Sequence, residues 1–129
     1  MRFDHVGVAT RDADALADLF GTVFDTPVAH RERFDGLNVT FLDVDNGYLE
    51  LLEPRTDEGP VAGHLDARGT GLHHVALATG DVAAALDAAR AVGVETVDDN
   101  PRPGAWGHEV AFLHPDSTGG VLVELVEHA

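Results

Sequence analysis

The 129-residue chain carries one pattern twice. His5-Val6-Gly7-Val8-Ala9-Thr10-Arg11-Asp12 returns as His74-Val75-Ala76-Leu77-Ala78-Thr79-Gly80-Asp81, with five of eight positions identical at an offset of 69. Leu49-Glu50-Leu51-Leu52-Glu53 returns as Val123-Glu124-Leu125-Val126-Glu127 at an offset of 74, and Phe41-Leu42 returns as Phe112-Leu113. Such a duplication restricts the fold to two copies of one supersecondary unit, with loop length absorbing the change of offset.

Each copy reads as strand, helix and three strands. Phe3 to Ala9 has a strand pattern, and Asp12 is placed to cap a helix whose apolar face is Ala13, Leu16, Ala17, Phe20 and Phe24. Thr26-Pro27 ends that helix, and strands are expected near Val28–Phe34, Asn38–Val44 and Tyr48–Leu52. In the second copy Asp81 caps a helix with Val82, Leu86, Ala89 and Val92 on its buried face and Gly93 at its C-terminus. Strands follow near Val94–Val97, Glu109–Leu113 and Val121–Val126. Between the copies, Pro54–Gly71 is read as a connection with a short helix around Val61–Ala67. The expected fold is α+β: one domain over residues 1–129, with module one at 1–54, a linker at 55–70 and module two at 71–129. The two βαβββ modules are expected to form one cupped mixed sheet around a shared site.

Charge and composition narrow the function. Asp and Glu number 23 against 8 basic residues, all of them Arg, for a formal net charge of −15. That charge repels nucleic acid. The acids are scattered among apolar periodic segments, which argues for a solvated acidic surface and against a disordered tail. High acidity without Lys resembles proteins of salt-loving microbes. There is no cysteine, so thiolate chemistry and disulfides are excluded. No run of 18 apolar residues suggests a membrane span. The opening Met1–His5 passes straight into a strand pattern without a signal-peptide layout, and the expected location is the cytoplasm.

The repeated polar residues point to chemistry. Side chains on a strand alternate faces, so Glu50 shares its face with Tyr48 and Leu52, and Glu124 with Leu122 and Val126. An ionised carboxylate in such surroundings costs several kcal/mol unless it meets a cation. No Arg lies nearby in sequence. His5 and His74 occupy equivalent positions on the first strand of each copy, whereas His73 aligns with Asp4 on the other face. A lone strand His or Glu ordinarily sits satisfied in a core or faces water. Four of them falling on one repeat, His5, Glu50, His74 and Glu124, read instead as ligands of one divalent metal. Two nitrogens and two oxygens suit Mn²⁺, Co²⁺, Ni²⁺ or Zn²⁺ and leave positions open for substrate. Glu53 and Glu127 also repeat but point away from this site and are read as solvated, and His30, His64 and His128 as surface residues.

The chain resembles the vicinal-oxygen-chelate superfamily of glyoxalases, bleomycin-resistance proteins and extradiol dioxygenases, and within it the methylmalonyl-CoA epimerases. The resemblance spans essentially the whole length. It is carried by Glu50-Leu51-Leu52-Glu53-Pro54, Gly71-Leu72-His73-His74-Val75, Pro103-Gly104-Ala105-Trp106-Gly107, and Phe112-Leu113-His114-Pro115 running into Thr118-Gly119-Gly120-Val121-Leu122-Val123-Glu124-Leu125. It implies interconversion of (2R)- and (2S)-methylmalonyl-CoA by proton removal and return at C2, with a metal-stabilised enolate between. It further implies that Glu124 is both ligand and base, and that the protein is a homodimer feeding a methylmalonyl-CoA mutase. One departure stands out. The second base of some bacterial epimerases falls near Val39 here, where Asn38, Val39 and Thr40 offer no suitable group. Glu50, the repeat mate of Glu124, is then the expected second base. Arg102 and the loop through Gly107 border either the thioester or its pantetheine arm, or form only a tight connection; His108 is a further candidate contact.

Two alternatives remain at this level. One is another metal enzyme of the same fold, a lactoylglutathione lyase or a dioxygenase, although a dioxygenase uses three protein ligands. The other is a non-catalytic small-molecule-binding protein, which has no need of the ligand quartet.

The acidity itself is testable. At 0.01 M salt the Debye length grows to roughly 30 Å, and a chain of net charge −15 repels itself throughout. The melting temperature is expected to rise strongly from low to molar KCl, and a flat profile would refute the halophilic reading.

Overall fold

The computed structural model describes residues 1–129. The elements run β1 (Arg2–Ala9), α1 (Ala13–Phe24), β2 (Val28–Phe34), β3 (Leu37–Asp43), β4 (Tyr48–Pro54), α2 (Pro60–Arg68), β5 (Gly71–Ala78), α3 (Val82–Ala91), β6 (Arg102–Pro103), β7 (Glu109–Leu113) and β8 (Val123–Glu127). The strands are hydrogen-bonded in the order β2-β3-β4-β1 in the first half of the chain and β5-β8-β7-β6 in the second. The chain resolves into two compact units, His5–His73 and Met1–Asp4 with His74–Ala129. The α+β class and the duplicated βαβββ order are therefore those read from the repeat.

In the first unit β1 runs parallel to β4, and β3 is antiparallel to both β4 and β2. Ala13 and Ala17 of α1 are buried against Val8, Leu42 and Leu51, with Leu16 and Phe20 packed at the margin. The small alanines let the helix approach the strands closely. Phe24 does not join this core; it lies on Phe20 at 5.5 Å and stays 60% exposed. The helix ends there, with Asp25 in the left-handed conformation and its N–H donated to the Gly21 carbonyl.

The second unit repeats the plan, with β5 parallel to β8, and β7 antiparallel to β8 and β6. Val82 and Leu86 of α3 pack on Ala111 and Leu125. Gly93 N–H donates to Arg90 O and Val94 N–H to Ala89 O, a Schellman closure around Gly93 at φ +88°. That closure turns the chain at Val92, which is 79% exposed and not part of the buried face. The strand expected at Val94–Val97 is reduced to one bridge, Thr96 to Leu113. The Asp98 carboxylate takes the Phe112 N–H at 2.8 Å, so a side chain replaces the ladder there. The third strand of this module is the short β6 instead.

Both helices begin in the same way. Asp12 accepts from Ala15 N–H at 3.0 Å and Asp81 from Ala84 N–H at 2.9 Å. The hydroxyls of Thr10 and Thr79 in turn accept from the N–H groups of Asp12 and Asp81. Glu53 and Glu127, expected to be merely solvated, reach over from the last strand of their modules. Glu53 accepts from Ala13 N–H at 3.3 Å and from the Asn38 amide at 2.8 Å, and Glu127 accepts from Val82 N–H at 3.0 Å. A helix start leaves N–H groups without intrahelical partners and carries partial positive charge, so two carboxylates are stabilising there. Hence the second Glu of each repeated Glu-Leu-Leu-Glu or Glu-Leu-Val-Glu stretch belongs to the helix. Glu53→Ala and Glu127→Ala are each expected to cost about 1 kcal/mol in denaturant unfolding. The two carboxylates share no hydrogen-bond partner, so their effects should add. Unchanged midpoints in both variants would show that the contacts contribute nothing.

Candidate metal centre

The two modules build matching half-sites. In the first, β1 carries His5 and β4 carries Glu50, with Gly7 opposite Glu50 in the parallel register. In the second, β5 carries His74 and β8 carries Glu124, with Ala76 opposite Glu124. In both cases the residue two beyond the His faces the Glu. This equal register brings His5 Nε2 to 3.2 Å from Glu50 Oε1, and His74 Nε2 to 3.3 Å from Glu124 Oε1. All four residues are buried, between 3% and 8% exposed.

Each half-site also has an aromatic wall, the role of the repeated Phe-Leu. Phe41 is the cross-strand partner of Glu50, and its ring stands edge-on to His5 at 5.6 Å. Phe112 is the partner of Glu124 and stands edge-on to His74, also at 5.6 Å.

His5, Glu50, His74 and Glu124 form a buried group of donor residues that could hold a metal ion. The chemistry fits as well. Each half-site buries a carboxylate, and a cation bound there would remove the penalty. The set of two imidazole nitrogens and two carboxylate oxygens is one that a first-row transition ion accepts. The protein thus has a buried His/Glu group able to hold a metal.

The longest motif of the second half proves to be the turn that delivers Glu124. After Phe112-Leu113, His114 Nδ1 accepts from Asp116 N–H at 3.1 Å and opens a 3₁₀ turn at Pro115–Ser117. Gly119 and Gly120 follow at φ +71° and +91°, and Thr118 Oγ1 donates to Val121 O at 2.6 Å. A side chain at either glycine would strain this reversal.

Of the three histidines expected at the surface, His30 and His64 are half-buried and His128 is exposed. His30 is 3.0 Å from Glu32, and His64 lies edge-on to His73 at 5.2 Å. His128 is bonded to the buried Asp4 and stacks on His108 at 4.1 Å. His128 therefore joins Asp4 of β1 to the Gly104–His108 loop, in which Trp106 holds a left-handed conformation at φ +62°. Asp4 and His128 are 124 residues apart, and no local pattern announces the pair.

Comparison with known proteins places the chain. Residues 4–112 match the model of the glyoxalase/bleomycin resistance protein/dioxygenase superfamily. A mitochondrial methylmalonyl-CoA epimerase of Dictyostelium discoideum is 35% identical over 98% of this chain and 78% of its own length. An ethylmalonyl-CoA/methylmalonyl-CoA epimerase of Cereibacter sphaeroides is 34% identical over 96% of both chains. Among solved structures, a variant of Streptomyces coelicolor methylmalonyl-CoA epimerase in complex with 2-nitronate-propionyl-CoA is 36% identical, with a TM-score of 0.94 over 100% of this chain and 98% of that one. The chain belongs to the glyoxalase/bleomycin resistance protein/dioxygenase superfamily and, within it, to the methylmalonyl-CoA epimerase family.

Proposed function

We propose that the protein interconverts (2R)- and (2S)-methylmalonyl-CoA, with His5, Glu50, His74 and Glu124 holding one divalent metal and with Glu124 and Glu50 as the two acid/base groups. The observation that carries this reading is the duplicated His–Glu pair, which provides one buried carboxylate per module. Full-length similarity to methylmalonyl-CoA epimerases supplies the substrate.

The reaction removes the proton from C2 and returns one to the opposite face. C2 lies between a thioester carbonyl and a carboxylate, so its C–H bond breaks with the electron pair passing to the thioester oxygen. A bound metal supplies positive charge against the negative charge gathering there. One carboxylate begins ionised and takes the proton; the other begins protonated and gives its own to the planar carbon, and the roles exchange in the reverse direction. On the same reading the protein is a cytoplasmic homodimer whose product passes to a methylmalonyl-CoA mutase. A single elution volume by gel filtration, with a mass twice that of the chain, is the expected check on the dimer.

The direct test is C2 proton exchange of (2S)-methylmalonyl-CoA in deuterated water. Exchange is expected with metal and lost with chelator; no exchange under either condition would sink the epimerase reading. His74→Ala is expected to remove most divalent metal and most activity while the fold survives, whereas His73→Ala should be far milder. Metal analysis showing full occupancy in His74→Ala would overturn the ligand assignment.

The two bases can be separated. A Gln at position 50 or 124 keeps an oxygen able to coordinate but cannot carry the proton. Each variant should lose epimerisation by roughly 10²-fold or more. Each should also still exchange the C2 proton of one epimer, with opposite preferences for Glu50→Gln and Glu124→Gln. Wild-type epimerisation by a metal-loaded Glu50→Gln would leave Glu50 a ligand only.

A further inference from the structure

The second half-site has a fixed cation beside it. Arg102 opens β6, opposite Val110 of β7. Its Nε donates to Asp98 Oδ1 at 2.9 Å, while Asp98 Oδ2 accepts the Phe112 N–H at 2.8 Å. One carboxylate, itself only 16% exposed, thus ties the guanidinium to the backbone of the residue that faces Glu124. The guanidinium carbon then sits over the Phe112 ring at 5.6 Å, and the same ring stands 5.6 Å from His74. Arg102, Phe112 and His74 form a continuous row.

An arginine that merely fastened a loop would be expected to spend its terminal nitrogens on the protein. Here Asp98 engages Nε, and the side chain remains 41% exposed, so the two terminal nitrogens are available to a ligand. Guanidinium groups pair in planar, two-point fashion with carboxylates, and stacking on an aromatic ring orients that plane. In a chain with 8 basic residues against 23 acidic ones, a rigid cation two contacts from a metal ligand alters the local field sharply.

We propose that Arg102 is the specificity-determining residue for the free carboxylate of an α-carboxyacyl thioester. This rests on the epimerase reading and deepens it by naming the group that separates such substrates from simple acyl thioesters. The phosphates of coenzyme A lie beyond the full pantetheine arm, too far along the ligand for a group in this position. The carboxylate at C2 is the substrate anion next to the reacting carbon. Asp98 serves as the positioning residue: it holds the guanidinium without occupying the face that meets substrate.

The test compares Arg102→Met with the wild-type holoenzyme. Replacing a charge-assisted pair should raise KM for methylmalonyl-CoA about 10- to 100-fold. Metal content should not change, and inhibition by propionyl-CoA, which lacks the second carboxylate, should keep its wild-type constant. Arg102→Lys should recover part of the loss, because charge returns without the planar fork. Asp98→Asn should raise KM less than Arg102→Met does. An unchanged KM in Arg102→Met overturns the proposal. Equal losses of affinity for methylmalonyl-CoA and propionyl-CoA overturn it too, since Arg102 would then be acting on the CoA portion or on the fold. Failure of the epimerase reading would look different: the wild-type protein itself would not exchange the C2 proton.

Discussion

The costliest feature of this molecule is a glutamate buried between apolar neighbours on the last strand of each module. Glu50 and Glu124 are 6% and 8% exposed, and each lies beside one imidazole of its own half-site. An uncompensated carboxylate in that setting destabilises the fold by several kcal/mol. The imidazole two positions out of register on the neighbouring parallel strand is the first compensation, and a divalent cation is the second. The order of the first and last strands, their parallel pairing and the edge-on phenylalanine all follow from the need to bring these groups together.

The duplication uses strand alternation to make each last strand do two jobs. In Glu50-Leu51-Leu52-Glu53 the two carboxylates are three positions apart, an odd spacing that puts them on opposite faces. Glu50 turns to His5, and Glu53 turns to the first N–H of α1. Glu124 and Glu127 divide in the same way between His74 and α3. Thr10 with Asp12, and Thr79 with Asp81, complete the helix starts. The repeated polar residues thus fall into two sets: one forms the buried His/Glu group that could hold a metal, and the other holds a helix in place. This coupling of site and scaffold explains why a small core with many alanines still positions ligand atoms closely.

The modules differ where substrate would be distinguished. The first unit has a β2–β3 pair of seven residues each, bulged between Val28 and His30, whereas the second replaces that region with an isolated bridge, the two-residue β6 and a glycine-rich loop. That irregular segment bears Asp98, Arg102, Trp106 and His108, none of which has a counterpart in the first copy. Gly104 is needed where the loop presses on β7, since a Cβ there would meet Val110 Cγ1 at 2.6 Å.

By itself the sequence determined the duplicated βαβββ order, the cap residues Asp12 and Asp81, and the quartet His5, Glu50, His74 and Glu124. These signals are local or periodic: alternation along a strand, a capping side chain before a helix, and identity at a fixed offset. Only the tertiary structure decided the rest. It gave Glu53 and Glu127 their partners 40 and 45 residues away, joined His128 to Asp4, and stood Phe112 between Arg102 and His74. It also left Phe24 and Val92 outside the core that their helical spacing predicted, and dissolved the Val94–Val97 strand in favour of a side-chain bond from Asp98. The reason is physical. Alternation and helical period say which face a residue occupies, but not what lies opposite that face. What lies opposite depends on strand register and on where each helix stops, and those are set by contacts between residues far apart in the chain.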